Sequence, residues 1–190
     1  CKCDCDYIGI MDSDDISLEN RIAIQAKYLD DMPSVDLVGG YILEKKRMNS
    51  DEYLRTVPIT NDQIIKKGRF LQPFNHVTIM FRKSIYIKAG GYGEFRFLED
   101  YDFYHRLYSS GAKFGNIPDV LVNVNISNQM LRRRGSDYLR EELKLQFLML
   151  KSGYINIPIL LFNISVRVVF RSLPSSIQTI LTKRILRKNV

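Results

Sequence analysis

The chain has 190 residues, of which 45% are hydrophobic and 26% charged, a balance typical of a globular protein rather than a disordered one. It contains no apolar, uncharged run long enough to cross a bilayer, which argues against a membrane span. The net charge of +7 is uneven, because residues 132–190 hold 12 Lys and Arg against 3 Asp and Glu, whereas residues 1–131 hold 16 against 18. This localised positive charge suggests an anionic partner surface, such as nucleic acid or the inner face of a membrane.

The order of apolar runs and of helical periodicities predicts an α/β layered domain. The predicted strands cover residues 7–11, 35–43, 77–81, 113–117 and 119–126. The predicted helices cover residues 18–31, 61–68, 83–89, 99–110 and 136–152, with further apolar helical stretches over 155–170 and after Pro174. We expect Ser17 to cap the first helix, Gly39-Gly40 to mark a bulge or a close backbone approach, and Gly111 to follow the helix that begins at Glu99.

Three cysteines alternate near the start of the chain, at Cys1, Cys3 and Cys5. An odd number does not make a disulfide framework, and a zinc site needs a fourth ligand and a wider spacing. The pattern favours structural thiols or the ragged end of a truncated chain, and a reducing, cytosolic compartment fits it best.

The first motif with chemical meaning is Asp12-Ser13-Asp14-Asp15, at the end of the first predicted strand. Three carboxylates so close together repel one another, and a divalent cation would relieve that repulsion. Mg²⁺ and Mn²⁺ prefer oxygen ligands and are often shared with substrate phosphates. The alternative is a solvated acidic turn, since Asp favours turns and helix N-termini.

The second motif is Glu99-Asp100-Tyr101-Asp102, which opens a predicted helix. A carboxylate in a pocket can accept the proton of an attacking hydroxyl group. The alternative is that these acidic side chains only complement the helix dipole.

Two further segments are candidates for the same site. His76 precedes the third predicted strand, where a single histidine is more often structural than functional. The loop Gly90-Gly91-Tyr92 is not a phosphate-binding glycine motif, because no strand-to-helix context surrounds it.

Taken in this order, the segments resemble the second half of bacterial family 2 glycosyltransferases, enzymes of the GT-A fold that build surface polysaccharides. The resemblance spans about residues 5–127. Between the two acidic motifs it also rests on Leu18-Glu19-Asn20-Arg21-Ile22 with Gln25, on Val38-Gly39-Gly40, and on the segment from His76 to Lys83.

The resemblance implies a role for each candidate residue. Asp12 and Asp14, with Asp15 adjacent, would hold Mn²⁺ or Mg²⁺ against the diphosphate of a nucleotide-sugar donor, expected to be a UDP-sugar, and His76 would lie near those phosphates. Asp100 would be the general base of an inverting displacement by an acceptor hydroxyl. The remaining residues would orient the acceptor, a glycan or lipid-linked glycan: Glu99, Asp102, Gly91 and Tyr92.

The resemblance also implies that residues 1–131 are the C-terminal part of a GT-A domain, truncated at its N-terminus, because the family begins with strands that bind the nucleoside. The expected activity is therefore that of a hexosyltransferase-type enzyme of surface polysaccharide biosynthesis (capsule, O-antigen or exopolysaccharide). The alternatives are an inactive remnant of such an enzyme, a nucleotidyltransferase, or a nucleic-acid-binding protein that uses its basic tail.

The basic tail, residues 132–190, is predicted to be helical, with Arg167 and Arg171 interrupting its apolar run. Two interpretations stay open: a helical cap packed on the catalytic domain, or an in-plane helix at a membrane surface. Aromatic residues are few in the tail and no nucleic-acid-binding module is recognisable, so no nucleic-acid partner is expected. We expect a cytoplasmic protein, peripheral on the inner membrane face if the second interpretation holds.

Overall fold

The computed structural model describes residues 4–46, 52–126, 136–174, 177–178, 181 and 188–189. Several features of the sequence lie outside these described residues. They are Cys1 and Cys3, the Arg132-Arg133-Arg134 cluster, and most of the predicted last helix with Lys183, Arg184 and Arg187.

The described residues form a mixed α/β fold in which one curled sheet is packed against helices. The strands are β1 (Tyr7–Gly9), β2 (Ile16–Ser17), β3 (Leu37–Lys46), β4 (Glu52–Arg55), β5 (Met80–Arg82), β6 (Phe114–Ile126) and β7 (Lys188–Asn189). The helices are α1 (Arg21–Asp31), α2 (Asn61–Gly68), α3 (Lys83–Lys88), α4 (Glu99–Ser109), α5 (Ser136–Lys151) and α6 (Ile157–Ser172). A single 3₁₀ turn covers His76–Thr78.

Strand β3 is the centre of the sheet. Along one side it pairs with β6 in parallel over its whole length, while on the other side its start pairs with β5 and its end with β4, both antiparallel. The short strand β1 lies outside β5, and β2 lies outside β6. The ends of β1 and β2, between which Asp12 to Asp15 lie, are thereby tied to opposite sides of the sheet.

The structure corrects the prediction of two strands separated by Pro118. A single strand β6 runs from Phe114 to Ile126, and Pro118 and Asp119 are left out of the ladder as a bulge. On the partner strand, the register shifts between Gly40 and Ile42. A Cβ at Gly40 would meet the side chain of Leu121 and the carbonyl of Asp119, so the predicted close approach at this glycine is confirmed.

Two further boundaries differ from the sequence prediction. Ser17 does not cap α1, because it lies in β2 and pairs with Val122 of β6. The helix begins at Arg21, and the side chain of the preceding Asn20 makes no cap hydrogen bond. The predicted third strand begins late, because the Thr78 amide and hydroxyl both donate to the carbonyl of Asn75 and close a 3₁₀ turn before β5.

The tail helices α5 and α6 pack on the rest of the fold. Leu145, Met149 and Leu160 join one buried cluster with Leu98 and Tyr101 from the start of α4. The first part of the tail therefore forms a helical layer beside α4. None of the helices in the described residues is both long and apolar enough to cross a membrane.

Candidate functional site

His76 lies between the exit of β1 and helix α4. The amide of Ile10, two residues before Asp12, donates to the carbonyl of Ile79 at 2.9 Å, and Tyr104 of α4 contacts the ring of His76. Burial lowers the pKa of His76, and the negative charges of Asp100, Asp12 and Glu99 act in the opposite direction. The structure thus brings the end of β1 and the start of α4 to one site.

Two tyrosines hold His76 in place. Its Nδ1 lies 2.7 Å from the hydroxyl of Tyr104, and its Nε2 lies 3.4 Å from the hydroxyl of Tyr92. The ring of Tyr92 stacks on Phe103 with 4.3 Å between the ring centroids. Burial also raises the pKa of both tyrosines, so their hydroxyls stay protonated and can donate hydrogen bonds.

A buried guanidinium positions the chain just before Asp12. Arg21, 2% exposed, donates to the carbonyl of Ile10 at 2.7 Å and contacts the sulfur of Met11 at 3.1 Å. Gln25, one turn along α1, accepts from the same guanidinium at 2.9 Å. Helix α1 thus fixes the exit of β1, and with it the position from which the acidic loop starts.

Strand β6 holds the other end of the acidic loop. The amide of Asn125 donates to Oδ1 of Asp15 at 3.1 Å, and its side-chain amide donates to the carbonyl of Asp14 at 2.6 Å. Burial raises the pKa of Asp15, the bond from Asn125 lowers it, and the charges of Asp14 and Asp12 raise it. The charges of Asp12 and Asp14 therefore repel the carboxylate of Asp15.

The donor chemistry of this loop fits a hard divalent cation. The exposed carboxylates of Asp12 and Asp14 accept no hydrogen bond from the described residues, whereas Asp15 is partly engaged by Asn125. Within the described ranges, no three acidic, His or Cys side chains form a complete metal cluster. A magnesium-type site often needs only one or two protein carboxylates, because substrate phosphates and water supply the other ligands.

The carboxylate of Asp100 is held at the opening of α4. Its Oδ2 accepts from Nε2 of Gln72 at 2.6 Å, and its Oδ1 accepts from the amide of Tyr101 at 2.7 Å. Each oxygen retains a lone pair for a further donor. The neighbouring Oε2 of Glu99 is buried and has no hydrogen-bond partner among the described residues.

The other two predicted acceptor-side residues occupy different surroundings. Asp102 is 3% exposed. Burial raises the pKa of its carboxyl group, and the positive charges of Arg106 and Lys144 lower it. Gly91 has a φ of 68°, and its carbonyl accepts from Arg106 at 3.1 Å. Both therefore lie on the Arg106 side of α4, whereas Tyr92 faces His76.

Sequence reasoning missed the residues that hold the site together. Tyr104 follows Asp100 by one helical turn, a spacing that could have placed it on the same face of α4. Arg21 and Gln25 contribute to the family resemblance, but the sequence gives no sign of their structural role. Gln72 and Asn125 carry no local signal, because each reaches its partner through the tertiary fold.

A cavity of about 350 Å³ lies beside Asp100. It opens to solvent and is lined by residues of β4, the segment after α2, and helices α4, α5 and α6, and Gln72 connects it to the carboxylate of Asp100. Its wall combines the cations Arg55 and Arg167 with apolar side chains such as Leu98 and Phe170. The space can therefore hold a ligand with both polar and apolar parts.

The chain is similar to several curated glycosyltransferases. It is 35% identical over 188 residues to an uncharacterized glycosyltransferase of Haemophilus influenzae, covering 98% of this chain and 70% of that protein. It is 35% identical over 158 residues to the amylovoran biosynthesis glycosyltransferase AmsE of Erwinia amylovora, covering 81% of this chain and 59% of that protein. No protein-family model matches the chain.

A third relative has a more specific name. The chain is 29% identical over 189 residues to the UDP-Gal:alpha-D-GlcNAc-diphosphoundecaprenol beta-1,3-galactosyltransferase of Escherichia coli, covering 98% of this chain and 68% of that protein. Among solved structures, the fold is similar to that of S. aureus TarS 1-349, with a TM-score of 0.54 at 16% identity over 78% of this chain and 42% of that one. The chain thus spans from 59% to 70% of the length of these three relatives.

Proposed function

Because the chain belongs to the glycosyltransferases, we propose that it carries the catalytic part of a family 2, GT-A enzyme that moves a sugar from a nucleotide-diphosphate sugar to an acceptor hydroxyl. The observation that carries this proposal is the position of His76, between the exit of β1, which leads to Asp12, and helix α4, which opens with Asp100. Such a site has a place for the donor diphosphate and a base for the acceptor within reach of each other.

Asp100 is the proposed general base. Its carboxylate would accept the proton of the acceptor hydroxyl, whose oxygen then bonds to the anomeric carbon while the bond from that carbon to the diphosphate oxygen breaks. Attack from the side opposite the diphosphate inverts the anomeric centre. Gln72 supports this role by directing Asp100 through one oxygen. Glu99 and Tyr92 are proposed to contact the acceptor, and Asp102 and Gly91 to support that side of the site through Arg106.

Asp12 and Asp14 are the proposed ligands of Mn²⁺ or Mg²⁺, with Asp15 adjacent. A divalent cation there would offset the negative charge that develops on the departing nucleoside diphosphate. Arg21 and Asn125 hold the two ends of the acidic loop, so its carboxylates are positioned before the donor arrives. The low pKa of His76 keeps its ring neutral at physiological pH, as a polar contact for the donor phosphates.

The names of the relatives support a role in surface polysaccharide biosynthesis. One acts in amylovoran biosynthesis, another is an O-antigen biosynthesis glycosyltransferase, and the E. coli galactosyltransferase uses UDP-Gal and a diphosphoundecaprenol-linked sugar. We propose a UDP-sugar donor and a glycan or lipid-linked glycan acceptor for this chain also.

Calorimetric titration of UDP into the full chain, with and without Mn²⁺, tests the donor site. We expect Mn²⁺-dependent binding that Asp12→Asn/Asp14→Asn abolishes and that Asp100→Asn retains, because the base does not hold the diphosphate. A chain that melts cooperatively but binds neither UDP nor other nucleoside diphosphates would contradict the proposal and favour an inactive remnant.

A further inference from the structure

Helix α6 is apolar on two sides: Leu160 packs in the core, and a second apolar side faces solvent, where a surface helix is usually polar. Six of its apolar side chains are between 46% and 63% exposed. At about 100° per residue they lie on one side of the helix, called here the outer face. They are Ile157, Leu161, Phe162, Val166, Val168 and Val169.

The inner side of α6 packs Leu160 in the buried cluster with α4 and α5, and its polar residues make directional contacts. Asn163, 1% exposed, donates to the carbonyl of Arg69 at 2.8 Å and to Gln146 at 2.7 Å. Arg171 donates through two nitrogens to one oxygen of Glu142, at 2.7 and 2.9 Å. These bonds fix the rotation of the helix about its axis, so the exposure of the apolar side follows from the packing.

The two serine hydroxyls on the outer face have hydrogen-bond partners. The hydroxyls of Ser165 and Ser172 donate back to carbonyls of their own helix, Leu161 and Val168, each at 2.9 Å. An apolar environment therefore meets no unpaired hydroxyl on this face. At 16 residues the helix is about 24 Å long, which suits a helix lying in the plane of a membrane surface.

We propose that the outer face of α6 docks into the interface of an anionic membrane. The charge of the tail favours this occupant, because residues 132–190 contain twelve Lys and Arg against three Asp and Glu, and this excess remains after Arg167 and Arg171 have paired with Glu142. A second copy would bring two stretches of like charge together. Nucleic acid would meet the cations but would leave the apolar side chains in water.

The outer face leads to the candidate site. Phe162 contacts the edge of Phe70, with 6.0 Å between their ring centroids, and Leu71 beside it is 46% exposed. The next residue, Gln72, donates to Asp100. An acceptor held in the bilayer would reach Asp100 along this path. This consequence rests on the proposed function, whereas the docking itself does not.

Flotation of the full chain with lipid vesicles tests the proposal. We expect it to float with vesicles of phosphatidylcholine and phosphatidylglycerol, less at high salt, and less with phosphatidylcholine alone. Leu161→Gln/Val169→Gln should weaken the partitioning about tenfold or more, because two apolar side chains lose their insertion without any change of charge. The matched control is Ile87→Gln on α3, a residue 61% exposed, which should partition like the parent chain.

Equal flotation of the parent chain and the double variant would overturn the proposal. So would a dimer, detected by analytical ultracentrifugation, that the double variant disrupts while neither chain binds vesicles, because the occupant would then be a second copy. Asp12→Asn/Asp14→Asn should float like the parent, so a failure of membrane docking can be told apart from a failure of the donor site.

Discussion

Asp100 is the residue on which the proposed chemistry depends most. Its carboxylate has lone pairs free after Gln72 and the amide of Tyr101 have donated to it. Asp100→Asn keeps the shape and can still bond to Gln72, but it cannot take the acceptor proton. We expect kcat for sugar transfer to fall roughly 10²- to 10⁴-fold, with UDP binding retained.

The matched control for Asp100 is Asp102→Asn on the other side of the same helix. Asp102 is buried beside Arg106 and Lys144, away from His76. We expect its kcat to change far less than that of Asp100→Asn in the same donor-hydrolysis or transfer assay. If the two variants lost activity equally, Asp100 would have no special role as the base.

At the scale of elements, Gln25 on α1 ties the helix to two neighbouring segments. It is fully buried, and its Nε2 donates to the carbonyls of Val38 in β3 at 3.2 Å and of Thr78 at 2.7 Å. Replacing it by Leu would leave both carbonyls without this donor. We expect Gln25→Leu to lower the free energy of unfolding by roughly 1–3 kcal/mol, measured by chemical denaturation.

Lys27 on the same helix provides the control. It forms an i, i+4 ion pair with Asp31, in which both side chains are more than half exposed. Lys27→Ala should leave the free energy of unfolding close to that of the parent chain, because solvent screens an exposed ion pair. A Gln25→Leu variant as stable as Lys27→Ala would mean that α1 does not depend on this buried amide.

The sequence predicts elements well where the signal is local. Helix α2 matches its predicted range because Thr60 and Gln63 form a capping box at its start. Helix α4 matches because acidic residues open its first turn and Gly111, with a φ of 85°, follows its end. The prediction of two strands in place of β6 is wrong. A proline usually interrupts a strand, but here a bulge beside Gly40 accommodates Pro118. Gln72 could not be predicted as a partner of Asp100, since only the tertiary fold brings the two together across 28 residues.

At the scale of the whole molecule, the two histidines make stability depend on pH. Burial, then the charge of Arg106, lowers the pKa of His105 to about 4 from its usual 6.5. The unfolded chain therefore binds more protons than the folded chain between these values, and stability falls as the pH drops from about 6.5 towards 4. The slope for one such group approaches roughly 1.4 kcal/mol per pH unit.

Chemical denaturation between pH 7.5 and about 5, above the range of most carboxylates, measures this effect. On acidification, His105→Gln should lose less stability than the parent chain. The remaining loss of stability should come from His76, whose pKa is also lowered by burial. A variant with the same pH dependence as the parent would show that His105 is not held neutral by the fold.

The central claim is that Asp12 and Asp100 lie near one imidazole, that of His76, and a nuclear magnetic resonance titration of the two histidines tests it most directly. Both carboxylates raise the pKa of His76, so Asp12→Asn and Asp100→Asn should each lower that pKa further, while the His105 resonance of the same sample titrates as in the parent chain. If Asp12→Asn left the His76 titration unchanged while Asp100→Asn shifted it, the two acidic motifs would not share a site and the proposed catalytic arrangement would be wrong.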